Sequence, residues 1–430
     1  MPGAIGKEVG DRVLAPGAEA PAYGRALGIL ATLFFMWGFT TVINNTLLPH
    51  LRSVFDLNYT KTTLIESTWF IAYFVASMPS AWLIERIGYK KAIVTGLLVM
   101  AIGAVGMVPA ARLPSYGVTL ASLFIIASGV TLLQVAANPY VTVIGPSESA
   151  SARLNLVQAF NSMGTTLAPL FGGYLILGRT VSGTARDGEV LTLVQRASDA
   201  RAVQLPYAIV ALVLIGLAVL IWRSNLPALG GATRRTAAAE RKHASLWRHR
   251  NLVFGIPAIF IYLIAEIGVS NLFINFVSSP QIGNLTHNEA SHYLLLLWGG
   301  MMVGRFAGSF VMRSLPANRV LAGCSIAAFV VMLGAATLHG QIAMWGLISV
   351  GLFHSIMFPT IFALGIRGLG PLTEEGAGLL IMAIAGGALV VAQGWLADAY
   401  GLQNSFFLTA ACEIYVLFYA VWGYRTKTAG

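Results

Sequence analysis

Apolar residues occupy this chain in long runs separated by short polar or charged breaks. A helix that crosses a bilayer needs about 20 mainly apolar residues. Run length places such helices near 25–48, 61–83, 92–111, 118–143, 153–178, 204–222, 252–278, 290–312, 321–338, 342–366, 376–397 and 404–424. Two breaks are long. Residues 179–203 mix both signs, with Arg179, Arg186, Asp187, Glu189, Arg196, Asp199 and Arg201, and read as an exposed loop. Residues 223–250 carry seven Lys or Arg against the single acid Glu240 and divide the spans into two sets of six. The pattern predicts an all-α membrane protein of twelve transmembrane helices in two halves, 25–222 and 251–424. A tail over 1–24, the basic linker 223–250 and a short tail over 425–430 complete it.

Some positions break the apolar pattern inside a run. Gln134-Val135-Ala136-Ala137-Asn138-Pro139-Tyr140 lies in the fourth, and Phe358-Pro359 closes the tenth. Amides and a helix-breaking proline are costly in hydrocarbon, so they mark a cavity or a pathway, and solute transport is the expected reason. The same positions expose a repeat. Pro139 and Gly145 return 220 residues later as Pro359 and Gly365, and Gly173-Tyr174-Leu175 returns 221 residues later as Gly394-Trp395-Leu396. Two pseudo-symmetric six-helix halves are what a major-facilitator fold requires, with the solute site between them and access alternating by rocking.

Composition agrees with the pattern. Of 430 residues 57% are hydrophobic and only 10% charged, against about 25% charged in a soluble domain; mean hydropathy is +0.74. The net charge of +10 does not point to nucleic acid, because the basic residues sit between apolar segments instead of forming one patch. Cys324 and Cys412 both lie in apolar runs and offer neither a disulfide framework nor a metal spacing. Residues 1–23 contain no apolar core of a signal peptide and read as a disordered cytoplasmic tail. With the amino terminus inside, nineteen Lys and Arg fall in inner segments and seven in outer ones. That bias predicts both termini in the cytoplasm and residence in the cell inner (plasma) membrane. A monomer in contact with lipid is expected.

The turn after the second run, Ala81-Trp82-Leu83-Ile84-Glu85-Arg86-Ile87-Gly88-Tyr89-Lys90-Lys91, resembles the major-facilitator loop pattern. It has Ala81 for the usual glycine, Glu85 for aspartate and Tyr89 for the first basic residue. Glu85, Arg86 and Gly88 are thus candidates for an inner gate, with the charges latching the halves; the alternative is that Arg86, Lys90 and Lys91 only anchor span ends. Further stretches resemble the fucose, galactose and glucose permeases: Phe34-Phe35-Met36-Trp37-Gly38-Phe39, Ala136 to Pro146, Arg153 to Ser162, and Phe358-Pro359-Thr360-Ile361-Phe362. The resemblance covers all twelve spans. It implies uptake of a monosaccharide or close relative driven by a cation gradient, with no resident cofactor and only a co-transported sodium ion or proton.

The chain also departs from that family. Positions matching Asn45 and Gln134 are acids in the fucose–proton members, which carry or gate the proton there. An amide hydrogen-bonds a hydroxyl or helps coordinate sodium but exchanges no proton, so proton coupling through these two positions is excluded. Suspicion for coupling moves to Glu266, well inside the seventh run, where a carboxylate must be protonated, paired or cation-bound. Glu66 lies near Lys61 at a span end, where a surface ion pair competes with coupling. His354 is a candidate solute donor or titrating group. Glu413, in the peripheral twelfth span, is expected to be structural.

A sugar hydroxyl stripped of water must regain its hydrogen bonds. The candidate partners are Asn44, Asn45, Gln134, Asn138, Gln158, Asn161, Asn271 and Asn275, with Trp37, Phe160 and Trp298 offering flat aromatic faces and His354 a further donor. Any one amide alone also serves as helix-packing glue. Arg305, seven residues after Trp298, is expected at the inner gate, on a carboxylate or a helix carboxyl end. Gly172, Gly173, Gly386 and Gly387 are expected to allow close helix approach. The expected protein is a sugar–cation symporter for a glucose- or galactose-like hexose. The alternatives are an uncoupled facilitator and a proton symporter for fucose or an N-acetylated amino sugar. A sensor lacks an output domain here, an enzyme lacks a nucleophile or metal motif, and a lipophilic-drug exporter would not need so many amides.

Overall fold

In lipid no water satisfies a backbone amide, so an apolar run must close its hydrogen bonds within itself, and the helix does so. The computed structural model describes residues 20–46, 59–112, 115–175, 204–224, 226 and 245–426. Among these residues there are helices and turns and no strand. Spans one to six are Ala20–Thr46, Tyr59–Ile87, Tyr89–Arg112, Tyr116–Val143, Ala150–Leu175 and Gln204–Arg223. Spans seven to nine are Arg250–Ser278, His287–Val311 and Ala317–Thr337. Span ten is built from Gly340–His354 and Met357–Gly365. Span eleven comprises Thr373–Met382, the 3-10 stretch Ala383–Leu389 and Val390–Tyr400; span twelve is Leu402–Phe418, ending in the π-helical turn Tyr419–Gly423. Within the described residues ten spans are long and apolar enough to cross a membrane. Spans ten and eleven, read from the sequence as continuous, are broken.

The packing repeats with a shift of six spans. Span three packs on four and six, one on five, and two on four; nine packs on ten and twelve, seven on eleven, and eight on ten. Across the halves, five meets eight and ten, and eleven meets two and four. Glycine permits the closest of these approaches. A Cβ on Gly38 would collide with the main chain of Asn161, one on Gly164 with that of Phe35, and one on Gly386 with that of Phe260. The first two lock span one to span five, and the third does the equivalent for seven and eleven.

The turns have local causes. Gly88 alone joins spans two and three at φ +82°, a left-handed conformation that favours glycine. Arg153, buried at the start of span five, donates from Nε to Val141 O at 3.2 Å, from Nη2 to Thr142 O at 2.7 Å and from Nη1 to Pro146 O at 2.7 Å. It thereby takes carbonyls that the end of span four leaves open. Asn251 does the same for span ten, its Nδ2 donating to Leu364 O at 2.9 Å and Gly365 O at 3.0 Å. Span eight opens on a capping box between Thr286 and Glu289. The Arg250 guanidinium stacks 3.0 Å over the Trp422 ring, pinning span twelve to span seven.

Two measurements follow from this packing. Gly164→Leu should cost about 1–3 kcal/mol through overpacking, read as a lower unfolding temperature in detergent than wild type. Thr286 main-chain and hydroxyl donation holds the Glu289 carboxyl below the ordinary glutamate range. A depressed folded pKa gives stability that is present above the unfolded value, about 4.3, and is lost as pH falls through the lower folded value. The stability difference between wild type and Glu289→Ala should therefore shrink on acidification through that window.

Candidate solute site and its gate

Proline lacks an N–H, and its ring collides with the carbonyl four residues earlier. Pro359 thus deprives Ser355 O of its helical donor, and span ten breaks between His354 and Met357. Other helices supply what the break removes. Arg305 Nε in span eight donates to Ser355 O at 3.0 Å, and the Tyr262 hydroxyl in span seven donates to His354 O at 2.9 Å. The same guanidinium crosses to the other half, its Nη1 donating to Gln158 O at 3.3 Å and to Ser162 Oγ in span five. Glu266, half-buried one turn beyond Tyr262, interacts electrostatically with both Tyr262 and Arg305. One cation therefore ties the broken span to the opposite half, with the span-seven carboxylate within electrostatic reach.

The amides of spans four and five converge beside it. Gln134 Nε2 donates to the Tyr73 hydroxyl at 2.6 Å, and Gln158 Nε2 donates to Asn138 Oδ1 at 3.3 Å. Asn161 Nδ2 donates to Phe34 O at 2.9 Å, which fastens span five to span one. Asn138 is wholly buried, and its Nδ2 has no hydrogen-bond partner among the described residues. That donor lies in the interior, where an unsatisfied N–H is costly.

Trp37 is buried against Phe34, ring centroids 5.1 Å apart, and Phe160 meets Phe306 edge-on at 5.7 Å across the halves. Trp298 is half-buried, while Asn271 and Asn275 are exposed on one face of span seven. The side chains of Asn44, Asn45 and Glu66 lie outside the described residues. His354 is 2% exposed, and its Nε2 lies 2.8 Å from Oε1 of the fully buried Glu413. The ring expected at the solute site is turned onto span twelve.

At the end that carries the basic linker, neutral groups pair across the two halves. Asn155 Nδ2 in span five donates to Thr360 Oγ1 in span ten at 3.1 Å, and Ser309 Oγ in span eight donates to Ala152 O at 2.8 Å. Ala81 of span two packs against Gly378 of span eleven. Glu85 is half-buried and Arg86 exposed beside the Gly88 turn. Nearby, Glu148 is held below the ordinary carboxylate range by main-chain donation and Ser147, with a smaller pull from Arg367 of the other half. Sequence reasoning did not single out Asn155, Thr360 or Ser309. The usable signal was the position of Thr360 next to Pro359 and of Asn155 two residues after Arg153.

The Major Facilitator Superfamily profile matches residues 29–392. The chain is 44% identical over 405 residues to the glucose/galactose transporter of Brucella abortus (strain 2308), covering 94% of this chain and 95% of that one. It is 32% identical over 420 residues to the L-fucose-proton symporter of Escherichia coli (strain K12), covering 96% and 95%. A crystal structure of the major facilitator transporter FucP in the outward conformation superposes with TM-score 0.85 at 31% identity, over 94% of this chain and 100% of that one. The chain belongs to the Major Facilitator Superfamily and, within it, to the fucose, galactose and glucose permeases. It is a multi-pass membrane transporter.

The Asn155–Thr360 bond can be weighed directly. A double-mutant cycle of Asn155→Ala and Thr360→Val should return a coupling of about 0.5–1.5 kcal/mol in unfolding measured in detergent.

Proposed function

We propose that this protein imports a monosaccharide of the glucose or galactose type together with a cation, sodium or proton, by alternating access. The observation that carries the reading is the set of Arg305 hydrogen bonds, which joins the span-ten break to span five of the opposite half, with Glu266 within electrostatic reach. The names of the relatives support it: one is a glucose/galactose transporter, another an L-fucose-proton symporter. The chain divides into halves 25–222 and 251–424, with the linker 223–250 and both termini in the cytoplasm and the spans in the inner membrane. With the linker end cytoplasmic, the closed end faces inward and the molecule faces outward.

In this reading the solute enters between the halves. Asn138 Nδ2 offers a donor to one hydroxyl. Gln134, Gln158 and Asn161 exchange their present partners for sugar hydroxyls, and Asn271, Asn275, Asn44 and Asn45 add further donors and acceptors. Trp37, Phe160 and Trp298 supply apolar surface for the sugar ring. Glu266 is the coupling group: a cation bound there competes with Arg305 for the carboxylate. The hold of Arg305 on Ser162 and Gln158 then changes with cation occupancy, which links coupling to the separation of the halves. Glu85, Arg86 and Gly88 belong to the same gate.

Labelled glucose and galactose uptake into proteoliposomes tests this. At one cation per sugar, a tenfold cation gradient, worth about 1.4 kcal/mol, supports about tenfold accumulation. Wild type should accumulate sugar under a sodium or a proton gradient; uptake that never exceeds equilibrium under either would refute symport. Glu266→Gln should lose accumulation while keeping counterflow, and a variant that concentrates sugar like wild type removes Glu266 from the coupling role.

A further inference from the structure

His354 and Glu413 are the most buried acid–base pair among the described residues, with side chains 3% and 0% exposed and 2.8 Å between Nε2 and Oε1. They belong to different helices. His354 is the last residue before the break in span ten, and Glu413 stands on the inward stripe of span twelve with Ser405 and Thr409, all three fully buried. Polar residues so deep in a peripheral span need a reason, because each costs free energy in a water-free interior.

The charge count supplies one. The titratable groups facing Glu413 are Tyr262 from span seven, Cys324 from span nine and the adjacent Cys412, while Arg305 and Glu266 lie one step further off, on the other side of Tyr262. Arg305 and Glu266 offset each other. The pair is then neutral only when it holds one proton; without it a buried anion remains, and with two a buried cation. Glu413 Oε2 has no hydrogen-bond partner among the described residues, so nothing here compensates the anion.

The pair is also joined to the moving part. Tyr262 holds the carbonyl of His354 itself, its ring meets the imidazole edge-on at 5.5 Å, and Arg305 holds the next carbonyl while bolting span eight to span five. A shift of span ten relative to span twelve separates histidine from carboxylate.

We propose that His354 and Glu413 form a proton site that carries one proton in this conformation and gives it up when span ten moves on span twelve. This deepens the symport reading, on which it rests, by naming the coupled cation as a proton and by placing a second titratable site, besides Glu266, on its path. On release the proton passes to water admitted between the two helices, and Glu413 is left as a carboxylate.

The test is galactose accumulation in proteoliposomes under an inward gradient of one pH unit without sodium and, separately, under an inward sodium gradient at equal pH, with counterflow measured in parallel on wild type, Glu413→Gln and His354→Gln. Wild type should accumulate about tenfold at one proton per sugar. Glu413→Gln should not accumulate, and His354→Gln should move the pH dependence of uptake, while both keep counterflow. Accumulation by Glu413→Gln equal to wild type overturns the site and leaves symport standing, as does wild-type accumulation driven by sodium alone. No accumulation by wild type under either ion defeats the site and the symport reading together. Loss of counterflow in both variants makes the pair part of the fold or the sugar path, and also overturns the proposal.

Discussion

Pro359 removes one backbone hydrogen bond from the middle of a membrane-spanning helix, and Arg305 supplies the replacement. In water the freed carbonyl of Ser355 would be solvated at little cost. In hydrocarbon an unpaired carbonyl is expensive, so the break in span ten exists only where another helix brings a donor to it. A guanidinium brings five N–H groups, so others remain after Nε has served the break. Those on the far side reach Gln158 and Ser162 of the opposite half, and Glu266 balances the charge from span seven. A defect in one helix thus becomes the junction of four.

The linker end adds neutral cross-half bonds: an amide with a hydroxyl, Asn155 with Thr360, and a hydroxyl with a carbonyl, Ser309 with Ala152. Neutral hydrogen bonds of this kind are worth about 1 kcal/mol each net. A buried ion pair broken on one side would cost several times more. Bonds of that size suit a contact that opens and closes.

The architecture was legible in the sequence because apolar run length reports directly on bilayer thickness. All twelve spans lie where run length put them, and the 220-residue echo of Pro139 at Pro359 announced the two halves. The echo also misled, since the two prolines do different things. Span four runs through Pro139 without a break, whereas span ten splits three residues ahead of Pro359. Local sequence does not record whether a neighbouring helix will supply a donor, and only packing decides it. The amides of spans four and five were recognisable as a group, yet their pairing with Tyr73 and with each other depends on helix rotation. His354 and Glu413, 59 residues apart on separate helices, carry no joint signature in the chain at all.

Sugar-evoked current tests most directly whether cation movement is bound to sugar movement through this junction. Proteoliposomes adsorbed on a conducting support and given a step of galactose or glucose should show a transient carrying positive charge inward, in the same preparation that performs counterflow. A preparation that exchanges labelled sugar yet gives no current with sodium or with protons as the available ion would contradict the account.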